Sequence, residues 1–420
     1  MSPLPSKRIA PSKRIAVVGA GVVGSATALA LARDGHAVTL IDPQPPGEAC
    51  SFGNAATLAE YAVQPFATPG ILRDLPGMLA NPASPLALRW RYLPWAAPWL
   101  WHFLRAARPA EVKRIAPILA ALVDDTVARH RAFVGAEGAA RLIRERGLLM
   151  LYGTAGARAR AEPGLALRRR FGVPVEDLSV AEATQMEPAL ARVYAAAVYL
   201  PRAAHVVSPL GLTQFMVAEF QALGGQVDRR RVRALATEAG RPTVATADGA
   251  AAFDAVVLSA GAWSRELART AGLRVRLDVE RGYHVVFPDL AGALSRPVSW
   301  TDGGFYLVPL EDGLRAAGTV EIAGMARPAD WRRAEAIARH ARRLLPDAGE
   351  PASRWMGMRP AMPDSLPVIG PAPGRPGLYF NFGHGHLGLT LAPRSAGLIA
   401  DLIAGRAPDM DLAPLRADRF

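Results

Sequence analysis

The first chemical signal in the sequence is a glycine turn with an acidic residue placed after it. Glycines at these spacings allow a tight turn, close approach of the backbone to a pyrophosphate, and close packing of a helix on a strand. Asp42 follows about 20 residues later, where a carboxylate can accept hydrogen bonds from a ribose hydroxyl. We therefore predict a dinucleotide site at Gly19, Gly21, Val22, Val23, Gly24 and Asp42.

The elements around this turn are those that such a site requires. Ile15 to Val18 is a short apolar run typical of a buried parallel strand, and Ser25 to Arg33 favours a helix. A second apolar strand, Ala37 to Ile41, ends at the acidic residue. The helix N-terminus supplies free N–H groups and a positive dipole end for phosphates. This context favours a nucleotide site over an ordinary surface glycine loop.

Composition excludes several other classes of function. The net charge is +12 and half of the 420 residues are hydrophobic. The positive charge comes almost entirely from scattered arginines, so we predict no nucleic-acid binding. The single cysteine, Cys50, excludes an internal disulfide and a cysteine metal cluster, and we predict no metal site. We find neither a signal peptide nor a charge-free run of about 18 apolar residues, and expect a cytoplasmic protein.

The order of elements predicts two intertwined domains. Phe253 to Leu258 resembles the first buried strand, whereas residues 274–323 alternate as antiparallel strands do. We predict an α/β fold, α+β overall, in which a discontinuous Rossmann-like nucleotide-binding domain carries an inserted substrate domain built on an antiparallel sheet. The predicted bounds are residues 14–80, 208–264 and 355–420 for the first domain, residues 81–207 and 265–354 for the second, and a disordered tail at 1–13.

A tryptophan-rich segment leaves two interpretations open. Trp90, Trp95, Trp99 and Trp101 crowd together among arginines, and Pro94 and Pro98 are expected to break any long helix there. The tryptophans could pack between helices, or they could form a patch on a membrane surface. We favour packing.

Five stretches in order carry a resemblance to a known family. They read VVGAGVVG with LID, SFGNA, VVLSAGAWS, WMGMRPAMPDSLPVIG and FGHGHLGLTLAP. Together they resemble the FAD-dependent D-amino acid oxidase/dehydrogenase superfamily, and in particular its bacterial D-amino acid dehydrogenases and D-hydroxyproline dehydrogenases. The resemblance runs from Arg14 to about Gly405.

The resemblance implies FAD as the cofactor and assigns further residues to it. The near-C-terminal cysteine of covalent relatives is missing, so we expect FAD to be bound non-covalently. Backbone N–H groups at the start of the last helix would stabilise negative charge on the reduced flavin. The residues implied beyond the first turn are Ser51, Asn54, Val232, Gly261, Trp263, Gly383, His384, Gly385, His386, Leu387, Gly388 and Thr390.

The resemblance also implies a substrate site. Arg359, in the W-x-G-x-R-P context, would clamp the substrate carboxylate through its planar fork. Tyr283 and Tyr306 could supply hydroxyl groups to the carboxylate, and His384 could face the substrate; alternatively these three side chains only pack in the core or shape a turn. If another arginine holds the carboxylate, Arg281 and Arg315 are the candidates.

The implied reaction is the oxidation of a D-amino acid to the 2-oxo acid and ammonia through the imino acid, with the Cα hydrogen passing to flavin N5. Alternatives are a D-hydroxyproline or D-proline dehydrogenase, an oxidase of glycine or sarcosine that uses oxygen, and a non-catalytic flavin-binding subunit. The expected partners are a D-amino or D-imino acid and an electron acceptor such as a quinone, with a peripheral contact at the inner face of the cytoplasmic membrane as an additional hypothesis.

Overall fold

The computed structural model describes residues 12–70 and 86–420. The strands are β1 (Arg14–Val18), β2 (Ala37–Ile41), β3 (Thr57–Leu58), β4 (Leu86–Leu88), β5 (Ile143–Arg144), β6 (Leu148–Tyr152), β7 (Glu176–Leu178), β8 (Ala196–Leu200), β9 (Ala204–Val206), β10 (Gln226–Asp228), β11 (Ala234–Glu238), β12 (Arg241–Thr246), β13 (Gly249–Ala252), β14 (Ala255–Leu258), β15 (Asp278–Phe287), β16 (Val298–Trp300), β17 (Phe305–Leu310), β18 (Gly313–Ile322), β19 (Ser353–Ala361), β20 (Val368–Pro371) and β21 (Leu378–Phe382). The α-helices are α1 (Val22–Arg33), α2 (Leu93–Ala106), α3 (Pro109–Val123), α4 (Thr126–Leu142), α5 (Ala155–Arg170), α6 (Val180–Met186), α7 (Pro209–Ala222), α8 (Ser264–Thr270), α9 (Arg332–Leu344) and α10 (Gly388–Ala404).

The glycine turn belongs to a six-stranded sheet with the order β10-β2-β1-β14-β21-β20. All neighbours are parallel except β20 and β21, which are antiparallel. The apolar run of β1 is buried from Ile15 to Val18, as expected for a central parallel strand. β14 pairs with β1 in the same direction, which confirms that the two apolar runs are neighbours. The α/β expectation is therefore confirmed.

A second, larger sheet faces the six-stranded sheet across the cavity described below. Its order is β19-β15-β18-β17-β16-β6-β8-β7, with β4 added in parallel to β18. Most neighbours are antiparallel, as the alternating pattern predicted, although β16 and β6 run parallel. The alternating pattern predicts separate strands at Val275–Val279 and Tyr283–Phe287. In the structure β15 continues through Gly282, where it pairs with β19, while its pairing with β18 shifts register between Arg281 and Tyr283.

The division into two domains stays a prediction, but one boundary needs correction. β19 was assigned from residue 355 onward to the nucleotide domain, yet it pairs with β15 along its whole length in the large sheet. Residues 355–361 therefore belong to the large sheet and not to the six-stranded sheet. The predicted tail lies outside the described residues except for positions 12 and 13, and so does the part of the domain assignment that covers residues 71–85.

The last helix, α10, is a core element. It packs against α1, and most of its residues are buried. Within the described residues, Gly385–Ala404 is long and apolar enough to cross a membrane, but 72% of its apolar 18-residue stretch is buried inside the protein. The segment is therefore accounted for by packing. The sequence predicts this closing helix from Ser395 to Ala404, but the helix begins at Gly388 because the turn before it continues directly into the helix.

The tryptophan-rich segment folds differently from its expected form. Pro94 lies in the first turn of α2 and Pro98 lies inside it, so neither residue prevents a helix of 14 residues. Trp99 is buried, stacks on Phe103 and donates its indole N–H to the carbonyl of Ala361 at 3.0 Å. In contrast, the side chains of Trp90, Trp95 and Trp101 are 67%, 67% and 59% exposed. The packing hypothesis is therefore correct for Trp99 and wrong for the other three residues.

Two other helical regions differ from expectation. Apolar residues at roughly helical spacing predict one helix from Ala110 to Arg131. The structure has two helices there, α3 and α4, because Asp125 has a positive φ of 52° and interrupts the regular geometry. The arginine-rich helix α5 was not predicted at all.

Candidate active site

A cavity of about 1350 Å³ lies between the two sheets and contains most of the predicted site. It is larger than the roughly 300–1,000 Å³ typical of small-ligand pockets, so it has room for an extended molecule. The predicted residues that line it are Gly19, Gly21, Val22, Val23, Asp42, Ser51, Asn54, Val232, Gly261, Trp263, Tyr306, Arg359, Gly383, His384, Gly385, His386, Leu387 and Gly388.

The glycine turn leaves no room for side chains. A Cβ atom at Gly19, where φ is +107°, would lie 2.4 Å from the carbonyl oxygen of Ser259, and one at Gly24 would lie 1.8 Å from the carbonyl oxygen of Gly19. Gly24 does not line the cavity; it lets α1 pack on the turn. At Gly21, which does line the cavity, an added Cβ would approach Ser51 Oγ to 3.2 Å. The turn therefore presents bare backbone to any ligand.

Asp42 is fixed at the edge of this cradle. Its two carboxylate oxygens accept hydrogen bonds from the backbone N–H groups of Ala20 at 2.8 Å and Gln44 at 2.9 Å. Ser51 Oγ accepts a hydrogen bond from Val22 N at 2.9 Å, so the Glu48–Ala56 loop, called the cofactor loop below, is joined to the start of α1. Each carboxylate oxygen keeps further acceptor capacity for a ribose hydroxyl.

Polar atoms without partners show that the cavity suits a polar cofactor. Ser259 Oγ and His384 Nε2 are buried, line the cavity and have no hydrogen-bond partner among the described residues. Buried polar atoms normally carry a partner, so these two atoms are placed for a ligand. Together with the bare glycine turn and the fixed carboxylate, they fit a dinucleotide such as FAD.

The turn from Gly383 to Thr390, which the resemblance assigns to the flavin and which is called the flavin turn below, contributes two histidines in different environments. Burial lowers the pKa of His384 to about 3, so its imidazole is neutral near neutral pH. His386 Nε2 lies 2.7 Å from Oε2 of Glu280, and Phe66 packs on the His386 ring with a centroid distance of 4.0 Å. Burial and the nearby Arg359 lower the pKa of His386, and its imidazole is therefore a neutral donor to the carboxylate.

Arg359 lies on the cavity wall formed by the large sheet. Its Nη1 donates to the carbonyl of Thr319 at 3.0 Å, and its guanidinium lies against Gly282, where a Cβ would fall 2.0 Å from Nη2. Burial lowers the pKa of Arg359, and Cys50 and Glu280 oppose that effect. Arginine keeps its charge despite such shifts because its ordinary pKa is very high. The guanidinium is therefore a fixed positive group facing the cavity.

Thr319 holds an unusual backbone conformation. Its φ is 60°, in the left-handed region that a β-branched residue rarely adopts. Its hydroxyl is buried without a partner among the described residues, and the residue lines the cavity. Its carbonyl accepts the hydrogen bond from Arg359, so the strained residue directly supports the guanidinium.

The two predicted tyrosines lie on different sides of the large sheet. Tyr306 lines the cavity next to Tyr61, and burial, followed by the contact with Tyr306, raises the pKa of Tyr61 well above its ordinary value. Tyr283 faces the other side, where its hydroxyl donates to Glu321 Oε2 at 2.6 Å and accepts from Asp330 N at 3.0 Å. Side chains alternate along a strand, so Tyr283 and Gly282 point in opposite directions. Tyr283 therefore does not line the cavity, which corrects the expectation that its hydroxyl contacts the substrate.

Thr390 also lies outside the cavity lining. It is buried, and its hydroxyl accepts a hydrogen bond from Ala59 N at 3.1 Å and donates to the carbonyl of Thr57 at 3.3 Å. It therefore holds the Thr57–Ala59 segment, rather than lining the space for a cofactor.

The alternative arginines have structural partners. Arg281 is fully buried on the far side of the sheet and donates to the carbonyls of Gly324, Arg327 and Pro328. Arg315 Nη1 donates to the carbonyls of Phe52 and Asn54, which anchors the predicted cofactor loop. Neither residue replaces Arg359 as a candidate for binding a carboxylate.

Several cavity residues were not predicted. Trp355 stacks on His284 with a centroid distance of 5.0 Å, and its ring covers Gly53, where a Cβ would fall 2.2 Å away. The dense small residues from Glu48 to Ala56 predict backbone that lies close to a flat ligand, but nothing in the sequence indicates that Trp355 also lies against this loop. Tyr61 and Glu280 belong to no recognisable sequence motif. They reach the cavity only because segments distant in the chain pack together.

Comparison with known proteins agrees with this geometry. Residues 14–402 match the model of the DAO family, described as FAD dependent oxidoreductase. The chain is 36% identical over 417 residues to a D-amino-acid oxidase of Bradyrhizobium diazoefficiens, covering 97% of this chain and 99% of the relative. It is 37% identical over 431 residues to D-amino acid dehydrogenase 2 of Ralstonia nicotianae, covering 96% and 99%.

Solved structures share the fold at lower sequence identity. The glycine oxidase of Geobacillus kaustophilus superimposes with a TM-score of 0.76 at 24% identity, covering 97% of this chain and 100% of that chain. The L-proline dehydrogenase of P. horikoshii superimposes with a TM-score of 0.74 at 18% identity, covering 97% and 98%. These similarities establish the arrangement of the two sheets.

Proposed function

Because this chain belongs to the family of FAD-dependent oxidoreductases, we propose that it oxidises a D-amino acid to the imino acid, which water hydrolyses to the 2-oxo acid and ammonia. One observation carries the proposal: Arg359, a fixed guanidinium, lines the same cavity as the glycine turn. The names of the relatives, a D-amino-acid oxidase and a D-amino acid dehydrogenase, support this substrate class.

The residues of this chain divide the work along the cavity. The backbone of Gly19 and Gly21 would hold the pyrophosphate of FAD, and Asp42 would hold the ribose. Bound FAD supplies the acceptor for the Cα hydrogen and its electron pair. Arg359 binds the substrate carboxylate as a bidentate fork and so fixes the direction of the Cα–H bond.

The experiment is an anaerobic panel of amino acids with flavin absorbance as the readout. Bleaching by D-amino acids but not by their L-enantiomers supports the proposal. The panel includes D-proline, D-hydroxyproline, glycine and sarcosine, because a cyclic or achiral substrate would redirect the assignment within the same chemistry. A flavin that no amine reduces would contradict the proposal and indicate a protein that only binds FAD. Peroxide formed during aerobic turnover would identify oxygen as the electron acceptor.

We propose that FAD is bound non-covalently. Cys50 lies in the cofactor loop, but burial raises the pKa of its thiol, and a protonated thiol is a poor nucleophile. Acid or heat precipitation should leave yellow FAD in the supernatant. Flavin that stays with the precipitate would contradict non-covalent binding.

We propose that the protein works in the cytoplasm, touches the inner face of the membrane and passes its electrons to a quinone or another carrier. The exposed indoles of Trp90, Trp95 and Trp101 support this proposal, since indole rings favour the lipid headgroup region, and the exposed side chains of Arg91 and Arg105 suit anionic lipids. The test is cosedimentation with anionic vesicles, in which Trp95→Ala with Trp101→Ala should reduce binding. Equal vesicle binding by this variant and the wild type would contradict the contact.

A further inference from the structure

The wall of the cavity carries a negative group beside the positive one. Glu280 on β15 is the cross-strand partner of Arg359 on β19, and both residues line the cavity. Directly opposite residues of antiparallel strands have Cβ atoms about 4.5–5.5 Å apart. Yet no ion pair within 4.0 Å joins the two side chains among the described residues, so neither charge is neutralised by direct contact with the other.

Glu280 is held as an anion with acceptor capacity left. Burial opposes its ionisation, but the hydrogen bond from His386 and the charge of Arg359 outweigh burial and lower its pKa. His386 engages Oε2 only, and Oε1 receives no hydrogen bond from the described residues. Glu280 lines the cavity and Oε1 is not sealed off from it, so this oxygen can accept a hydrogen bond from a ligand in the cavity.

An α-amino acid has the complementary pair of charges. Its carboxylate and ammonium groups are attached to the same carbon, so two opposite charges side by side on one wall can bind both groups at once. Resting on the function proposed above, we propose that Glu280, positioned by His386, binds the α-ammonium group of the substrate while Arg359 binds the carboxylate. With the carboxylate and the ammonium group held in place, the hydrogen and the side chain occupy the two remaining positions on Cα. The enantiomer whose Cα hydrogen faces the flavin is the one that can be oxidised.

Two ligands that differ only in the ammonium group test this assignment. 2-Aminoisobutyrate and 2,2-dimethylpropanoate have the same shape and carboxylate, and neither has a Cα hydrogen to lose. Their dissociation constants are measured by titration of the flavin absorbance of the holoenzyme. The wild type should bind 2-aminoisobutyrate more tightly. Glu280→Gln should weaken 2-aminoisobutyrate roughly 10- to 100-fold, as expected for a hydrogen bond to a charged group, and leave 2,2-dimethylpropanoate within about threefold.

Three variants control for other roles of the carboxylate. Glu280→Asp keeps the charge and should recover part of the affinity for 2-aminoisobutyrate. Glu311→Gln, at an exposed turn of the same sheet, should change neither ligand. Arg359→Lys should weaken both ligands, because both carry a carboxylate. If Glu280→Gln loses affinity equally for both ligands, or for neither, the assignment is overturned. Glu280 would then only shape the cavity wall.

The remaining outcomes separate this inference from the proposed function. If Glu280→Gln fails to fold or loses FAD, the wild type alone decides, since equal binding of the two ligands would overturn the assignment. If the wild type binds neither ligand but is reduced by an amino acid, the half-saturating concentration of that amino acid must rise at least about tenfold in Glu280→Gln or Glu280→Asp, and an unchanged value overturns the assignment. A wild type that binds neither ligand and is reduced by no amine contradicts the proposed function itself.

Discussion

The guanidinium group of Arg359 lies against the backbone of Gly282 on the neighbouring strand, in space that any side chain at position 282 would occupy. The ideal Cβ position at Gly282 is 2.0 to 2.3 Å from three guanidinium atoms. The direction of Arg359 therefore depends on a residue with no functional group. This relationship gives the arginine a fixed approach to the cavity and defines two separate tests.

The first test removes the guanidinium. Arg359→Ala should keep the fold and FAD, and should lower kcat/KM for the amino acid roughly 30-fold to several thousand-fold, since losing one partner of a buried charge pair commonly costs about 2–5 kcal/mol. Arg359→Lys should recover only part of the loss, because an ammonium has no fork. The measurement is the rate of anaerobic flavin reduction per folded molecule. Arg354→Ala, on the same strand but exposed, should behave as the wild type. Near-normal reduction by Arg359→Ala would show that another group holds the carboxylate.

The second test displaces the guanidinium without removing it. Gly282→Ala should retain FAD but slow flavin reduction roughly 100-fold, because a displacement of about 1 Å at a binding group can have that effect. Gly397→Ala is the matched control, since nothing lies within 4 Å of a Cβ at that helical position. Flavin content and melting temperature report on the fold of both variants. Wild-type kinetics in Gly282→Ala would mean that Arg359 can turn away without loss of function.

A third prediction concerns the cofactor turn. Gly21→Val should abolish FAD binding, because the larger side chain would occupy the space facing the cavity and press on Ser51. The flavin absorbance of the purified protein is the measurement, and Gly397→Ala again serves as the control. Full FAD content in Gly21→Val would refute the assignment of this turn.

The tryptophans of α2 give a fourth prediction. Trp99→Ala should destabilise the fold by roughly 3–5 kcal/mol, since a buried indole and its hydrogen bond to Ala361 are lost. Trp95→Ala, whose side chain is 67% exposed, should leave the free energy of unfolding nearly unchanged. Denaturant unfolding of both variants measures the difference. Equal effects of the two substitutions would contradict the orientation of the helix.

A fifth prediction concerns acid stability. Burial, followed by the charge of Arg315, lowers the pKa of His284 from 6.5 to about 3. The folded state thus binds this proton more weakly than the unfolded state, so stability falls as pH drops below about 6.5 toward 3, by up to roughly 1.4 kcal/mol per pH unit. His284→Gln should lose roughly 1–2 kcal/mol less than the wild type between about pH 7.5 and 5, as measured by denaturant unfolding. Equal losses would show that His284 titrates normally.

The part of the site that is local in sequence could be predicted from the sequence. The glycine turn and Asp42 are defined by residues close together in the chain, so their spacing predicts a dinucleotide site, whereas the flavin turn, from Gly383 to Thr390, was assigned to the flavin from the family resemblance. The parallel pairing of β1 and β14 also followed, because both are short apolar runs that end in small residues.

The substrate wall could not be predicted in the same way. The pairing of β15 with β19 joins distant segments, and only that register places Glu280 opposite Arg359. Tyr283 was misplaced because its side of the strand depends on which face meets the cavity, and both faces of β15 are buried. The exposure of Trp95 likewise depends on which side of α2 meets the sheet, and the apolar pattern is present all around that helix.

The left-handed backbone of Thr319 limits where this enzyme can gain folding stability without loss of function. A β-branched residue in that region costs about 1–3 kcal/mol, and here its carbonyl steadies the guanidinium of Arg359. Replacing Thr319 to relieve the strain would therefore raise folding stability but disturb the position of the Arg359 guanidinium, so selection for stability and selection for activity conflict at this residue. We expect thermostable relatives to keep the strained backbone at residue 319 and to gain their stability at other positions.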